Sequence, residues 1–186
     1  MSLRGKIDIA ELSDTGRVRD HNEDAIGSNS DIGLMVLADG MGGYNAGEVA
    51  SGIAVQIVTD LATEAATRED LSNIDPHSGL MRQSIILRDA VYRSNKIIYQ
   101  TAQSQTHCEA MGTTIVASNF YHNNVSVAPV GDSRAYRLRD GTLDQITLDH
   151  SLLQELVDRG FYSHEEAQRS TNRNYVTRAL GVEPTV

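Results

Sequence analysis

The chain has 186 residues, a mass of 20.3 kDa and a formal net charge of −9, from 16 Lys+Arg against 25 Asp+Glu. This length fits one domain spanning residues 1–186, and 40% hydrophobic with 22% charged residues excludes wholesale disorder. No apolar run approaches the ~18–20 residues of a membrane span, and the N-terminus lacks the apolar core of a signal peptide. Cys108 stands alone, which excludes a disulfide framework and a thiolate zinc cluster and makes a reducing, cytoplasmic setting the default. Lys6 and Lys96 are the only lysines, so the clustered cations of a nucleic-acid surface are absent.

In chain order, Ile7, Ile9 and Ala10 predict a short strand ending in the turn cluster Ser13-Asp14-Thr15-Gly16. Leu34 to Ala38 is a continuous apolar run, bounded by Gly33 and Asp39-Gly40, that predicts a strand buried on both faces. Val49, Ile53, Ile57 and Leu61 then recur every four residues as the apolar stripe of a helix, with Asn45 as its N-cap and Glu48 at capping-box spacing. Residues 65–78 are polar and turn-rich. Leu80, Leu87, Val91, Ile98 and Ala102 mark a second, long helix.

After it the period falls to two. Thr113 to Phe120 and Val125 to Val130 predict strands around a turn at 121–124, and Pro129 requires its strand to be an edge or a bulge. Ala135 to Leu138 and Leu143 to Ile146 form a second hairpin around Asp140-Gly141. Leu152 to Val157 predicts a helix stopped by Gly160, and Ser163 with Glu166 starts another. Strands, two helices, then strands again do not alternate as a parallel array would. The pattern is α+β, with antiparallel sheet and an inserted helical pair.

Three clusters carry chemistry-bearing residues: Arg19 to Asp24, Leu37 to Gly43, and Val130 to Arg134. Asp39-Gly40 after an apolar run reads on its own as a turn. Met41-Gly42-Gly43 adds glycines that let backbone approach a ligand closely. A carboxylate ending a buried strand costs several kcal/mol unless paired or metal-bound, and Mg²⁺ or Mn²⁺ would relieve that cost. A phosphate-cradling nucleotide loop is excluded, because Gly47 is followed by Glu48 and Val49 rather than Lys and Ser/Thr. Arg19 reads either as a solvated surface arginine or as a bidentate phosphate fork beside Asp24. Asp132 reads either as a metal carboxylate or as a turn residue paired with Arg134. His107, His122, His150 and His164 show no metal-ligand spacing and read as surface or packing residues.

The ordered set Gly16-Arg17-Val18-Arg19 with Asn22-Glu23-Asp24, Ala38 to Gly43 with Ala46-Gly47-Glu48, Met111 to Thr114, and Val130 to Arg134 resembles the metal-dependent serine/threonine phosphatases of the protein phosphatase 2C type, most closely the compact bacterial members. Leu148 to Ser151 and Thr177 to Gly181 extend the resemblance over nearly the whole chain. The resemblance implies an antiparallel β-sandwich flanked by helix pairs. It implies two Mn²⁺ or Mg²⁺ ions bridged by Asp39, with the Gly40 carbonyl and Asp24 contributing, and a third, weaker ion at Asp132. Asp39 and Asp24 are thereby the catalytic carboxylates, acting on a metal-activated water that attacks phosphorus in line. Arg19 matches the phosphate-binding arginine, and residues 147–172 match a flap that tunes substrate choice. Implied partners are phosphorylated proteins, including a bacterial Ser/Thr kinase and its substrates.

Two departures stand out. Tyr44 occupies the place of a histidine acid, as a poorer proton donor or a substrate contact, its pKa being about 10. No second Asp-Gly of the metal-binding kind follows before Val186, so the resemblance implies a C-terminally incomplete sandwich lacking about two metal ligands, inactive or nearly so by itself. The alternative reading is a non-catalytic phosphoprotein-binding module on the same fold.

Overall fold

The computed structural model describes residues 3, 5–43, 46–68, 71, 73–170 and 175–186, so the expected cap at Asn45 lies outside the described residues. Strands β1 (Asp24–Asn29) and β2 (Leu34–Met41) are followed by helices α1 (Ala46–Arg68) and α2 (Arg82–Ser104). Then come β3 (Gly112–Thr113), β4 (Ile115–Tyr121), β5 (Asn124–Val130), β6 (Tyr136–Arg139) and β7 (Thr142–Gln145). Short helices α3 (Leu152–Asp158) and α4 (His164–Arg169) complete the order. Every strand pairing is antiparallel: the main sheet runs β1-β2-β4-β5 with β3 beside β2, and β6-β7 is a separate ribbon. The α+β architecture is the expected one, with the helical pair inserted between strands. Of the sandwich, the described residues supply one sheet backed by α1 and α2, and the ribbon.

The core lies between that sheet and its helices. Leu34, Val36 and Ala38 of β2 are at most 1% exposed, whereas Leu37 is 37% exposed. The expectation of burial on both faces is therefore corrected: β2 alternates, because α1 and α2 cover only one side of an antiparallel sheet. The α1 stripe is corrected too. Its buried face is Ala46, Ala50, Ala54, Val58 and Ala62, with Val49 40% exposed and Ile53 packed at the margin. The reason is proximity: a Cβ on Gly27 of β1 would stand 2.6 Å from Val55 Cγ1, so only small side chains fit between helix and sheet.

In α2, Leu87, Val91, Ile98 and Ala102 are buried as the periodicity required, but Leu80 precedes the helix and is exposed. No strand forms at Ile7–Ala10. The two isoleucines are half-buried between exposed neighbours, and this extended segment has no ladder partner among the described residues. Strand β1 escaped the sequence reading because Gly27 and Asn29 dilute its β propensity. Pro129 does sit on an edge strand, β5, opposite Val116. Asp140 and Gly141 both take positive φ, 50° and 77°, the hairpin turn anticipated from Asp-Gly. Ser163 and Glu166 form the expected capping box.

The tight α1 contact gives a direct test. Ala54→Leu should cost about 1–3 kcal/mol of stability through overpacking, measured by urea denaturation. Val49→Ala, on the stripe that the sequence favoured, should stay within about 0.5 kcal/mol.

Candidate active site

The β1–β2 register sets Asp24 opposite Asp39, followed by Ile26 opposite Leu37 and Ser28 opposite Met35. All six share the face turned away from α1, since Leu34, Val36 and Ala38 occupy the other. A one-residue slip would drive that buried set out of the core, so core packing itself enforces the juxtaposition of two carboxylates. Asn22 fixes the start of β1: its Oδ1 accepts from the Asp24 amide at 3.0 Å, and its Nδ2 donates to Ser13 Oγ at 2.6 Å.

The backbone of Asp39 is held from both sides. Its amide donates to Thr114 Oγ1 at 3.1 Å, while its carbonyl accepts from the Thr114 amide and from Thr113 Oγ1, each at 2.9 Å. The Gly40 amide donates to the Glu23 carbonyl at 3.1 Å, which Ser51 Oγ on α1 also reaches at 2.6 Å. Here glycine is obligatory. A Cβ on Gly40 would lie 2.1 Å from the Gly47 carbonyl oxygen, and one on Gly47 would lie 2.7 Å from both Glu23 Oε1 and the Met41 amide. The start of β1, the end of β2 and the first turn of α1 thus meet backbone to backbone.

Electrostatics marks Asp39 as the centre. Its pKa is pushed up to about 6, first by loss of hydration, then by the negative charges of Asp24 and Asp132 and a carboxyl–carboxyl hydrogen bond with Asp24; Arg19 opposes the rise. Three other residues singled out in the sequence, Arg19, Asp24 and Asp132, therefore lie within electrostatic reach of Asp39. Arg19 is exposed on the loop before β1. Among the described residues no three Asp, Glu, His or Cys side chains close around one ion. The convergence is a touching pair, Asp24 with Asp39, and a third carboxylate nearby. Tyr44 lies outside the described residues.

The turn bearing Asp132 is anchored differently from the ion pair weighed in the sequence. Arg134 pairs with Asp149 rather than Asp132: its Nε donates to both carboxylate oxygens, at 2.8 and 3.0 Å. Asp149 and the Tyr136 hydroxyl hold the guanidinium pKa above its ordinary value. Thr114 Oγ1 and Ser133 Oγ share a hydrogen bond of 2.7 Å, linking that turn to Asp39. Thr114 was quoted only as part of a motif, and its side-chain role has no periodic signal. Glu23 was likewise passed over. Its side chain is 12% exposed, and its buried Oε1 has no hydrogen-bond partner among the described residues, with His21 Nε2 3.7 Å away.

These residues fit a hard divalent cation. The donors are carboxylate and carbonyl oxygens without sulfur, and the proton affinity of Asp39 is raised by burial and then by the charges of Asp24 and Asp132, which a cation would offset. The sign of the pH effect follows. In the metal-free chain, folding raises the pKa of Asp39 from 3.8 to about 6, so the folded state binds the proton more tightly. That contribution favours folding at low pH and is lost as pH rises through this window. Asp24→Asn removes a repelling charge, so its stability relative to the parent should increase between pH 4 and pH 7. Paired denaturation curves at the two pH values measure it.

The sequence profile of protein phosphatase 2C matches residues 16–179. The serine/threonine phosphatase stp of Listeria welshimeri is 39% identical over 177 residues, covering 94% of this chain and 67% of that protein. The serine/threonine protein phosphatase PstP of Mycobacterium tuberculosis is 38% identical over 180 residues, covering 95% of this chain and 32% of that protein. The crystal structure of M. tuberculosis PstP matches with a TM-score of 0.79 at 37% identity, over 92% of this chain and 67% of that one. A structure of the PstP catalytic domain in complex with two manganese ions gives 0.74 at 36% identity, over 92% and 66%. The chain thus spans about two thirds of the length of Listeria stp and of the crystallised PstP chain. With a family profile over most of its length and these relatives, it belongs to the protein phosphatase 2C family of serine/threonine phosphatases.

Proposed function

We propose that this chain supplies the centre of a protein phosphatase acting on phosphoserine and phosphothreonine, with Asp24, Asp39, Asp132 and the Gly40 carbonyl as its Mn²⁺ or Mg²⁺ ligands. The observation that carries the reading is the pairing of Asp24 opposite Asp39 across β1 and β2, with Asp132 and Arg19 within electrostatic reach of Asp39. Two dications bound there would neutralise the carboxylates and acidify a water for attack on phosphorus. The chain's own residues do the rest. Asp39, pinned through its backbone by Thr114 and Thr113, keeps its carboxylate beside Asp24 without reorganisation. Arg19, whose charge reaches Asp39, supplies the fork for two phosphoryl oxygens. Tyr44 serves as a slow proton donor or a substrate contact.

A phosphoprotein-binding module is the weaker reading, since recognition alone needs Arg19 but no opposed carboxylates. The substrates are phosphorylated proteins, and we place a bacterial Ser/Thr kinase and its targets among them, in the cytoplasm. A buried single cysteine, Cys108, and the lack of any helix long and apolar enough to cross a membrane among the described residues support that setting. Residues 147–172, which include α3 and α4, act as the flap that selects among substrates.

Release of phosphate from a phosphothreonine peptide with Mn²⁺ tests the assignment. Asp39→Asn should lower turnover by at least about a hundredfold and weaken Mn²⁺ binding, with the fold unchanged by circular dichroism. Arg19→Lys should raise KM about tenfold, because a point charge replaces a bidentate fork. Full activity in Asp39→Asn would overturn the assignment.

A further inference from the structure

His150 sits at the entrance to the flap, and its hydrogen bonds lead to the third carboxylate. The Gly131 amide donates to His150 Nδ1 at 3.1 Å, and the His150 amide donates to the Gly131 carbonyl at 2.9 Å. One residue therefore grips both peptide groups of Gly131, immediately before Asp132. Gly131 has φ 101° and rests on β4's approach: a Cβ there would lie 2.6 Å from Thr114 Cγ2 and 3.2 Å from Thr114 Cα. Thr114 is the same residue that holds the Asp39 backbone and shares a hydrogen bond with Ser133.

The other side of His150 closes the flap's two ends. Thr177 donates its amide to the His150 carbonyl at 2.8 Å, Leu152 donates to the Tyr175 carbonyl at 2.9 Å, and Ser151 bridges Val176. Alongside, the Ala135 amide donates to Thr147 Oγ1 at 3.1 Å, and Arg134 grips Asp149. Residues 131–135 and 147–150 are thus laced together, and among the described residues the imidazole is the one side chain hydrogen-bonded to the Gly131 peptide.

We infer that His150 is a positioning residue for Asp132, setting the direction of that carboxylate through Gly131 and tying it to the base of the flap. The inference rests on the reading of Asp132 as a metal carboxylate. It assigns His150 no contact with metal or substrate. A half-buried imidazole accepting a backbone N–H could have served packing alone. What separates the two roles is that both Gly131 peptide groups are held and that the next residue is the carboxylate.

The test uses the 186-residue chain, Mn²⁺ alone as the probe, and two readouts. Amide hydrogen exchange reads the clamp. His150→Ala should speed exchange at Gly131 about tenfold while Ala117 and Asn119 in β4 stay protected, and His150→Asn, whose Oδ1 stands near the place of Nδ1, should restore most of the protection. Protection in β4 also certifies that each variant folds. Mn²⁺ titration reads the positioning: His150→Ala and Asp132→Asn should each weaken the weakest binding phase about tenfold, and the double variant no further. If Asp132→Asn weakens Mn²⁺ binding and His150→Ala does not, the positioning role is overturned and the metal reading stands. If Asp132→Asn leaves binding unchanged, the metal reading fails and the inference falls with it. Unchanged exchange at Gly131 in His150→Ala would overturn the clamp itself.

Discussion

Two like charges directly opposed across a pair of antiparallel strands are the constraint from which the site follows. Cross-strand neighbours stand about 5 Å apart at Cβ, and equal charges there repel. A sheet chosen for stability alone would not place Asp24 against Asp39. The chain accepts the conflict because the register is set elsewhere, by Leu34, Val36 and Ala38 against the helices. The repulsion shows as the raised proton affinity of Asp39, and in the proposed enzyme dications would relieve it.

The neighbouring structure reads as a means of keeping that conflict in place. Strain of this kind ordinarily relaxes by backbone movement, yet the Asp39 peptide groups are held by Thr113 and Thr114, and Gly40 by Glu23. Thr114 then reaches Ser133, so the third carboxylate belongs to the same frame. Strands carry Asp24 and Asp39, loops carry Arg19 and Asp132, and one hydroxyl ties the two sets together. This division suits a reaction whose catalysis is mostly electrostatic and whose acidic groups must not drift apart.

Much of this was legible in the sequence, and the misses have specific causes. The second hairpin was readable from Asp140-Gly141, the α4 cap from Ser163 and Glu166, and the edge position of β5 from Pro129, since each rests on local backbone chemistry. The four residues Arg19, Asp24, Asp39 and Asp132 were legible as ordered motifs. The buried face of α1 was not. Apolar periodicity finds large side chains, whereas closeness to the sheet selected Ala50, Ala54 and Ala62. β1 was missed because Gly27, required by that same closeness, weakens a strand signal. Arg134 was weighed against Asp132, two residues away, while its partner Asp149 lies fifteen residues on. His150 looked inert because its partner is a backbone amide, which no side-chain spacing announces.

The meeting of Gly40, Gly47 and Glu23 carries a mechanical consequence. Between Gly40 and the Gly47 peptide no side chain intervenes: main chain lies against main chain, with the Glu23 side chain and the Ser51 hydroxyl at its edge. Rotamer changes, the usual way a protein absorbs small shifts, are therefore unavailable at that seam. Any tilt or slide of the 23-residue helix would be transmitted undamped to Asp39, making α1 a lever whose short arm ends at the carboxylates.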